Sequence, residues 1–176
     1  MKIWTVGHST HSVAELAAIV KAHGVDQIVD IRTIRRSRAN PQFNEAVIGK
    51  ALAKREVGYR IDEALGGRRG KAKVPPKLAN DAWENASFKN YADYALTAEF
   101  RAGLAELMQL AKRTPTAIMC AEAVWWRCHR RIVADWLLAR KVEVFHIMSA
   151  TSAPAATLTP FATIVRGRVH YPGRRQ

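Results

Sequence analysis

The sequence is poor in several things that would each define a class. Two cysteines among 176 residues allow one disulfide at most. In a chain with no export signal that pair is expected to be reduced, leaving Cys120 and Cys128 as thiol, thiolate, ligand or small core residue. No stretch approaches the roughly 20 apolar residues of a membrane span. The opening run, MKIWTVGHST, carries one Lys and is broken by Gly7 and His8 before it reaches signal-peptide length. A soluble, cytoplasmic protein without membrane contact is the expectation. Acidic residues are scarce, 15 against 28 Lys+Arg, for a formal charge of +13 and a pI near 10.4. Such a field attracts polyanions over a Debye length or so, and nucleic acid is the first partner to consider. No internal repeat and no second domain is visible.

What is present is one domain's worth of chain, 48% hydrophobic, long enough to bury about 70% of its unfolded surface with no help from a metal or disulfide. KIWTVGH reads as a strand. In STHSVAELAAIVKAHG, Ser12 and Glu15 have capping-box spacing, Val13, Leu16, Ala17 and Val20 make one stripe, and Gly24 stands where a C-cap belongs. QIVDIR is a second strand, followed by a polar loop with Pro41. Asn44 is placed to cap a helix with Val47, Ile48, Ala51 and Leu52 inward. GYRI is a third strand, and the Gly, Lys and Pro content from LGGRRGKAKVPPK to about Asn85 argues for a long irregular loop of the functional or mobile kind. Phe88 to Lys112 reads as one helix, TAIMC as a strand, HRRIVADWLLARK as a helix burying Ile132, Val133, Trp136 and Leu137, and VEVFHIM as a strand. After Ser149, FATIV and RVHYP either pair as a hairpin around Arg166 and Gly167 or lie loosely. The alternation predicts a single-domain three-layer α/β sandwich with a mainly parallel, Rossmann-like sheet.

In such a sheet, the loops leaving the carboxyl ends of the strands share one edge, where ligands bind. The sequence puts His8 and Ser9 after the first strand, Asp30 and Arg32 after the second, Cys120 and Glu122 after TAIMC, and His146 near the end of VEVFHIM. Arg127, His129, Arg130 and Arg131 crowd a helix start, where the macrodipole already presents about half a positive charge. Either a ligand anion joins them, or Glu122 supplies the charge and the arginines fan outward. Basic residues cluster further: Arg32, Arg35, Arg36 and Arg38; Arg68, Arg69, Lys71, Lys73 and Lys77; Arg166, Arg168, Arg174 and Arg175. These acid-free runs fit a polyanion-binding face, or a solvated one.

Cys120, at a strand end before a loop, an arginine and a helix, has the layout of thiol phosphatases and sulfur-transfer enzymes. However, Arg127 comes one residue too late for such a phosphate loop, and Trp125 and Trp126 fill it. A metal held by Cys120, Cys128, His129 and His8 is conceivable, but the cysteine spacing is not a short C-x-x-C pair, and neither metal nor cofactor is assigned. Trp125 and Trp126 serve either as base-stacking platforms or as packing.

The combination of TVGHST, VDIR, SRANPQFN, LGG and CAEAVWWRCHRRIVADWL resembles the bacterial and archaeal family known as domain of unknown function 488, in order from about residue 4 to residue 148. The resemblance implies a small α/β domain whose recurring polar positions are His8, Ser9, Asp30, Arg32, Arg38, Cys120, Glu122, Cys128, His129 and Arg130. It implies no reaction.

The expectation is therefore an enzyme-like domain that binds a phosphate-bearing ligand, nucleic acid or nucleotide, at the carboxyl edge. Arg130, Arg127 and Arg32, with Arg38 and Ser9, would hold the anion. Glu122 or Asp30 with His8 or His129 would move protons. Cys120 would be accessory or the nucleophile, and Cys128 and His146 structural or accessory. The alternatives are a non-catalytic basic nucleic-acid-binding module and a cysteine-dependent phosphatase or sulfur-transfer enzyme.

Overall fold

The computed structural model describes residues 1–73 and 80–173; Lys77, Arg174 and Arg175 of the basic clusters lie outside them. Among the described residues, seven strands and five α-helices follow in the order β1 (Lys2–Gly7), α1 (Val13–Ala22), β2 (Gln27–Asp30), α2 (Glu45–Ala53), β3 (Gly58–Ile61), α3 (Ala86–Ala95), α4 (Ala98–Ala111), β4 (Thr116–Cys120), α5 (Arg130–Leu138), β5 (Glu143–Ile147), β6 (Thr163–Val165) and β7 (Arg168–His170). β1 to β5 form one parallel sheet in the order β3-β2-β4-β1-β5.

Side chains alternate across this sheet because successive strand residues point to opposite faces. Ile28, Ala117 and Met119 pack under α1 and α2, whereas Ile3, Val29 and Ile118 pack under α3, α4 and α5. The result is the three-layer α/β sandwich that the strand and helix pattern predicts. Neighbouring strands β1 and β4 send their following helices to opposite faces, which opens a crevice between the two departing loops.

Local chemistry explains where elements start and stop. The Ser12 hydroxyl accepts from the Glu15 amide, and the Glu15 carboxylate accepts from the Ser12 amide, closing a capping box with Val13, Leu16, Ala17 and Val20 buried below it. Asn44 occupies the N-cap of α2, but its side-chain oxygen accepts from the Ser37 amide rather than from its own helix. Ile48 and Leu52 face inward as expected, while Val47 is exposed. The single helix expected from Phe88 to Lys112 is two. Thr97 adopts extended backbone angles and its hydroxyl accepts from the Phe100 amide, so a local side-chain cap replaces the helical ladder there.

The chain beyond Ser149 is tied down. Ala156 donates to the Val144 carbonyl and His146 to the Pro154 carbonyl, covering the free edge of β5. β6 and β7 pair as a hairpin turning through Arg166 and Gly167, both at positive φ. Tyr171 then donates its hydroxyl to Asp135 of α5, whose other oxygen accepts from the Thr159 amide. No helix among the described residues is long and apolar enough to cross a membrane.

Candidate functional site

A cleft of about 540 Å³ opens at the carboxyl edge of the sheet. The end of β1 brings His8 to it, the loop after β2 brings Arg32, Thr33, Arg36 and Asn40, and the segment after β3 brings Gly67 and Arg68. Phe88 and Tyr91 of α3 form one wall, and the loop from β4 to α5 brings Cys120, Glu122, Arg127, Cys128 and His129. Parallel strands deliver residues more than a hundred positions apart to one edge, and this edge is where they meet.

Behind the cleft wall is a buried polar cluster. Asp30 is fully buried on β2, and Arg32 is 4% exposed. The Arg32 guanidinium donates to both Asp30 oxygens through Nε (2.9 and 3.0 Å) and again through its terminal nitrogen (2.6 Å). The Tyr59 hydroxyl donates to the same carboxylate at 2.6 Å. Asp30 does not line the cleft, and its acceptor capacity goes to holding Arg32. A further Arg32 nitrogen donates to His8 Nε2 at 3.2 Å, and His8 Nδ1 donates to the Ser9 carbonyl at 2.9 Å. His8 thus stands in one neutral tautomer, its ring stacked 4.0 Å from Phe43.

Burial pushes His8 down to about 4, with the Arg32 charge acting in the same direction. Burial and the Arg130 charge lower His146 to about 4; its ring bonds the Thr5 hydroxyl at 2.8 Å and stacks 4.1 Å from Trp125. Both imidazoles stay neutral in the fold where the unfolded chain takes protons near the ordinary value of about 6.5. The unfolded state then binds more protons between those values, so stability is complete above about pH 6.5 and falls as pH drops toward 4. Denaturant melts at about pH 7 and about pH 5 should show this loss. A His146→Phe variant should show a shallower one, and an unchanged slope would remove His146 from the effect.

The third feature is a sulfur and imidazole cluster on the cleft floor. The turn Trp125–Arg127 reverses the chain after β4, so Cys128 and His129 come back beside Cys120. His129 Nδ1 lies 3.5 Å from Cys128 Sγ and 4.0 Å from Cys120 Sγ, and its Nε2 donates to the Ile31 carbonyl at 3.1 Å. The three ligand-capable atoms lie within 4.8 Å of one another. Both thiols are free. Their interaction with each other raises the Cys120 thiol and, with His129 and Arg130 nearby, lowers Cys128. The more acidic thiol of the pair is thus the buried Cys128 and the less acidic one the more exposed Cys120. That arrangement is the reverse of what an exposed nucleophile needs.

Arg130, 1% exposed, turns its guanidinium under this loop and donates to the Glu122 and Ala123 carbonyls. Its Nε has no hydrogen-bond partner among the described residues, and it forms no salt bridge there. Arg131 donates to the Thr159 hydroxyl. The Glu122 carboxylate is exposed on the cleft, with only a long contact to the Val124 amide.

Of the residues expected at the site, His8, Arg32, Cys120, Glu122, Arg127, Cys128 and His129 line the cleft. Asp30, Arg130 and His146 lie beneath or beside it as buried supports. Ser9, at positive φ, faces a separate groove, and Arg38 points to solvent outside the cleft lining. Phe88, Tyr91, Gly67 and Asn40 were not expected there. The aromatic run Phe88, Tyr91 and Tyr94 reads in sequence as a helix core face, which holds for the fully buried Tyr91, and Gly67 reads as a turn; a β-carbon at Gly67 would collide with the His129 ring. Trp126 is the more exposed of the paired tryptophans, set edge-on to Trp125.

A family model described as "Domain of unknown function DUF488" matches residues 12–137. No curated protein and no solved structure matches the chain.

Proposed function

The chain belongs to the DUF488 family, and because that membership prescribes no reaction, we propose a function from the site itself: the cleft binds a phosphate-bearing ligand, nucleic acid or nucleotide, in an enzyme-like setting. One observation carries this reading. Arg36, Arg68 and Arg127 surround the cleft, exposed, and none has a carboxylate partner among the described residues. Of their neighbours in the same loops, Arg35 pairs with Glu45 and Glu63 and Arg69 with Glu99; Arg38, Arg60, Arg113, Arg166 and Arg168 are exposed and unpaired elsewhere among the described residues, so what marks these three is their convergence on one cleft. Three unpaired guanidinium groups around one concavity repel one another, and their planar forks suit phosphate oxygens. Phe88, backed by the fully buried Tyr91, offers an apolar wall for a base, and the volume lies within the range of about 300–1,000 Å³ typical of small-ligand sites. Glu122 is the acid/base candidate, since its carboxylate stands free at the cleft and His8 is engaged on both nitrogens.

Binding of labelled single-stranded oligonucleotides across a salt series tests this. Each lost phosphate contact lowers the log–log salt slope by about 0.7 for a single strand, so replacing all three arginines by alanine should flatten it by about 2. Binding and slope that match wild type would overturn the reading. Glu122→Gln separates its two halves: loss of turnover with retained binding supports catalysis, while binding with no turnover in wild type assigns the non-catalytic module.

A further inference from the structure

Cys120, Cys128 and His129 are spent neither by the fold nor by the anion reading. We propose that Cys120 Sγ, Cys128 Sγ and His129 Nδ1 form a three-ligand site for a thiophilic divalent cation of the zinc type on the floor of the cleft, the cleft itself supplying a fourth ligand, water or an oxygen of the bound molecule.

The spacing of the atoms fits. Tetrahedral zinc with bonds of about 2.3 Å to sulfur and about 2.0 Å to nitrogen puts sulfur and nitrogen ligands about 3.6 Å apart. The two sulfur–nitrogen distances here are 3.5 and 4.0 Å and all three atoms lie within 4.8 Å of one another, so the nitrogen needs adjustments of a few tenths of an ångström and the sulfurs a closure of up to about 1 Å toward the roughly 3.8 Å of a tetrahedral pair. The imidazole is already oriented. Its Nε2 hydrogen is committed to the Ile31 carbonyl, which leaves the Nδ1 lone pair turned toward both sulfurs. Metal-bound histidines are usually held by such an outer hydrogen bond to a carbonyl or carboxylate. Gly67 packs against the back of the ring, and Tyr91 meets it edge-on at 5.0 Å.

Thiolates, not thiols, bind metal, so binding would release the thiol protons, and the Arg130 guanidinium buried beneath the loop has no carboxylate partner among the described residues. Two thiolates and a divalent ion cancel, so the metal adds no net charge beneath the cleft. Two sulfurs and one imidazole select a borderline-soft ion over magnesium or calcium, which take oxygen ligands. All three line the cleft, Cys128 on its inner side at 5% exposure and Cys120 and His129 more exposed. Three protein ligands with an outward side is the pattern of zinc sites that engage water or substrate. A bound ion would lie near Glu122 and Arg127, where it could polarise a phosphoryl oxygen.

The inference goes beyond the anion-binding reading, and the two are tested by different measurements. Reduced, metal-stripped full-length protein is titrated with cobalt(II), read by the thiolate-to-cobalt charge-transfer band and the intense visible bands of tetrahedral coordination, and then with zinc(II) in competition. The expected result is one cobalt per chain with both signatures, displaced by zinc. Cys120→Ser should weaken binding by more than the roughly 10–100-fold that loss of an outer hydrogen bond costs. Cobalt binding without the charge-transfer band, or equal affinity in Cys120→Ser, overturns the proposal. Should the variant fold poorly on melting, wild type alone decides: one equivalent of zinc should protect both thiols from alkylation, and equal alkylation rates with and without zinc overturn it. Neither readout depends on oligonucleotide binding.

Discussion

Asp30→Ala should destabilise the protein by about 3–5 kcal/mol, the range measured when one partner of a buried ion pair is removed. The carboxylate is fully buried and receives hydrogen bonds from Arg32 and Tyr59. Without it, the Arg32 charge stays at 4% exposure with the Phe43 carbonyl and His8 as its remaining polar neighbours, and Tyr59 loses its acceptor. For a chain of this length each kcal/mol moves the melting temperature by about 2–4 °C, so a drop of about 6–20 °C is expected. Asp30→Ala/Arg32→Leu should recover part of the loss, because removing both charges relieves the uncompensated guanidinium. A single variant that melts within a degree or two of wild type, or a double variant worse than the sum of the singles, would show that the cluster does not hold the cleft wall. In either variant the position of His8 is also at stake, since Arg32 donates to its Nε2.

Much of the framework is written locally in the chain. The capping box at Ser12, the stripe from Val13 to Val20 and the apolar strands TAIMC and VEVFHIM each follow from spacing and side-chain type, and the structure repeats them almost residue for residue. Gathering of polar residues at one edge follows as well, because it needs only parallel strands. What stays hidden are decisions made between alternatives of similar local merit. Thr97 sits within a continuous apolar pattern, and its cap competes with a helical ladder that the same residues also favour. Tyr59 gives no sign in sequence that its hydroxyl reaches Asp30; only the pairing of β3 with β2 brings it there. The eight-residue separation of Cys120 and Cys128 carries no metal-pair signature, yet the turn at Trp125–Arg127 folds the interval back on itself and brings both sulfurs to one imidazole. Tyr91 is the core residue that its helix face predicts, fully buried, whereas Phe88 on the same face also reaches the cleft, because a helix face can serve the core along part of its length and a cleft along the rest.

Gly7 makes the second large prediction, and it connects a short sequence signal to the whole site. In VGHST this residue looks like an ordinary strand-end glycine, and its φ is not in the left-handed region, so flexibility is not why it is there. Its Cα lies directly under the loop from β4 to α5: a β-carbon would overlap the Glu122 carbonyl and press on Ala123 Cα at 2.9 Å. Backbone cannot yield as a flexible side-chain end does, and this backbone is fastened on both sides. The His8 and Ser9 amides donate to the Cys120 and Ala121 carbonyls at 2.9 and 3.0 Å, and Arg130 holds the Glu122 carbonyl from beneath. Making room for one methyl therefore means breaking at least one of these bonds, a net loss of about 1 kcal/mol each, on top of about 1–3 kcal/mol for over-packing. Gly7→Ala should cost about 3 kcal/mol in denaturant melts, toward the upper end of that over-packing range. It should also weaken oligonucleotide and cobalt binding in the fraction that remains folded, because the displaced loop carries Cys120, Glu122 and Arg127. Wild-type stability in Gly7→Ala would mean that the loop slides freely over β1, and a cleft floor built on it could not hold three ligand atoms in register.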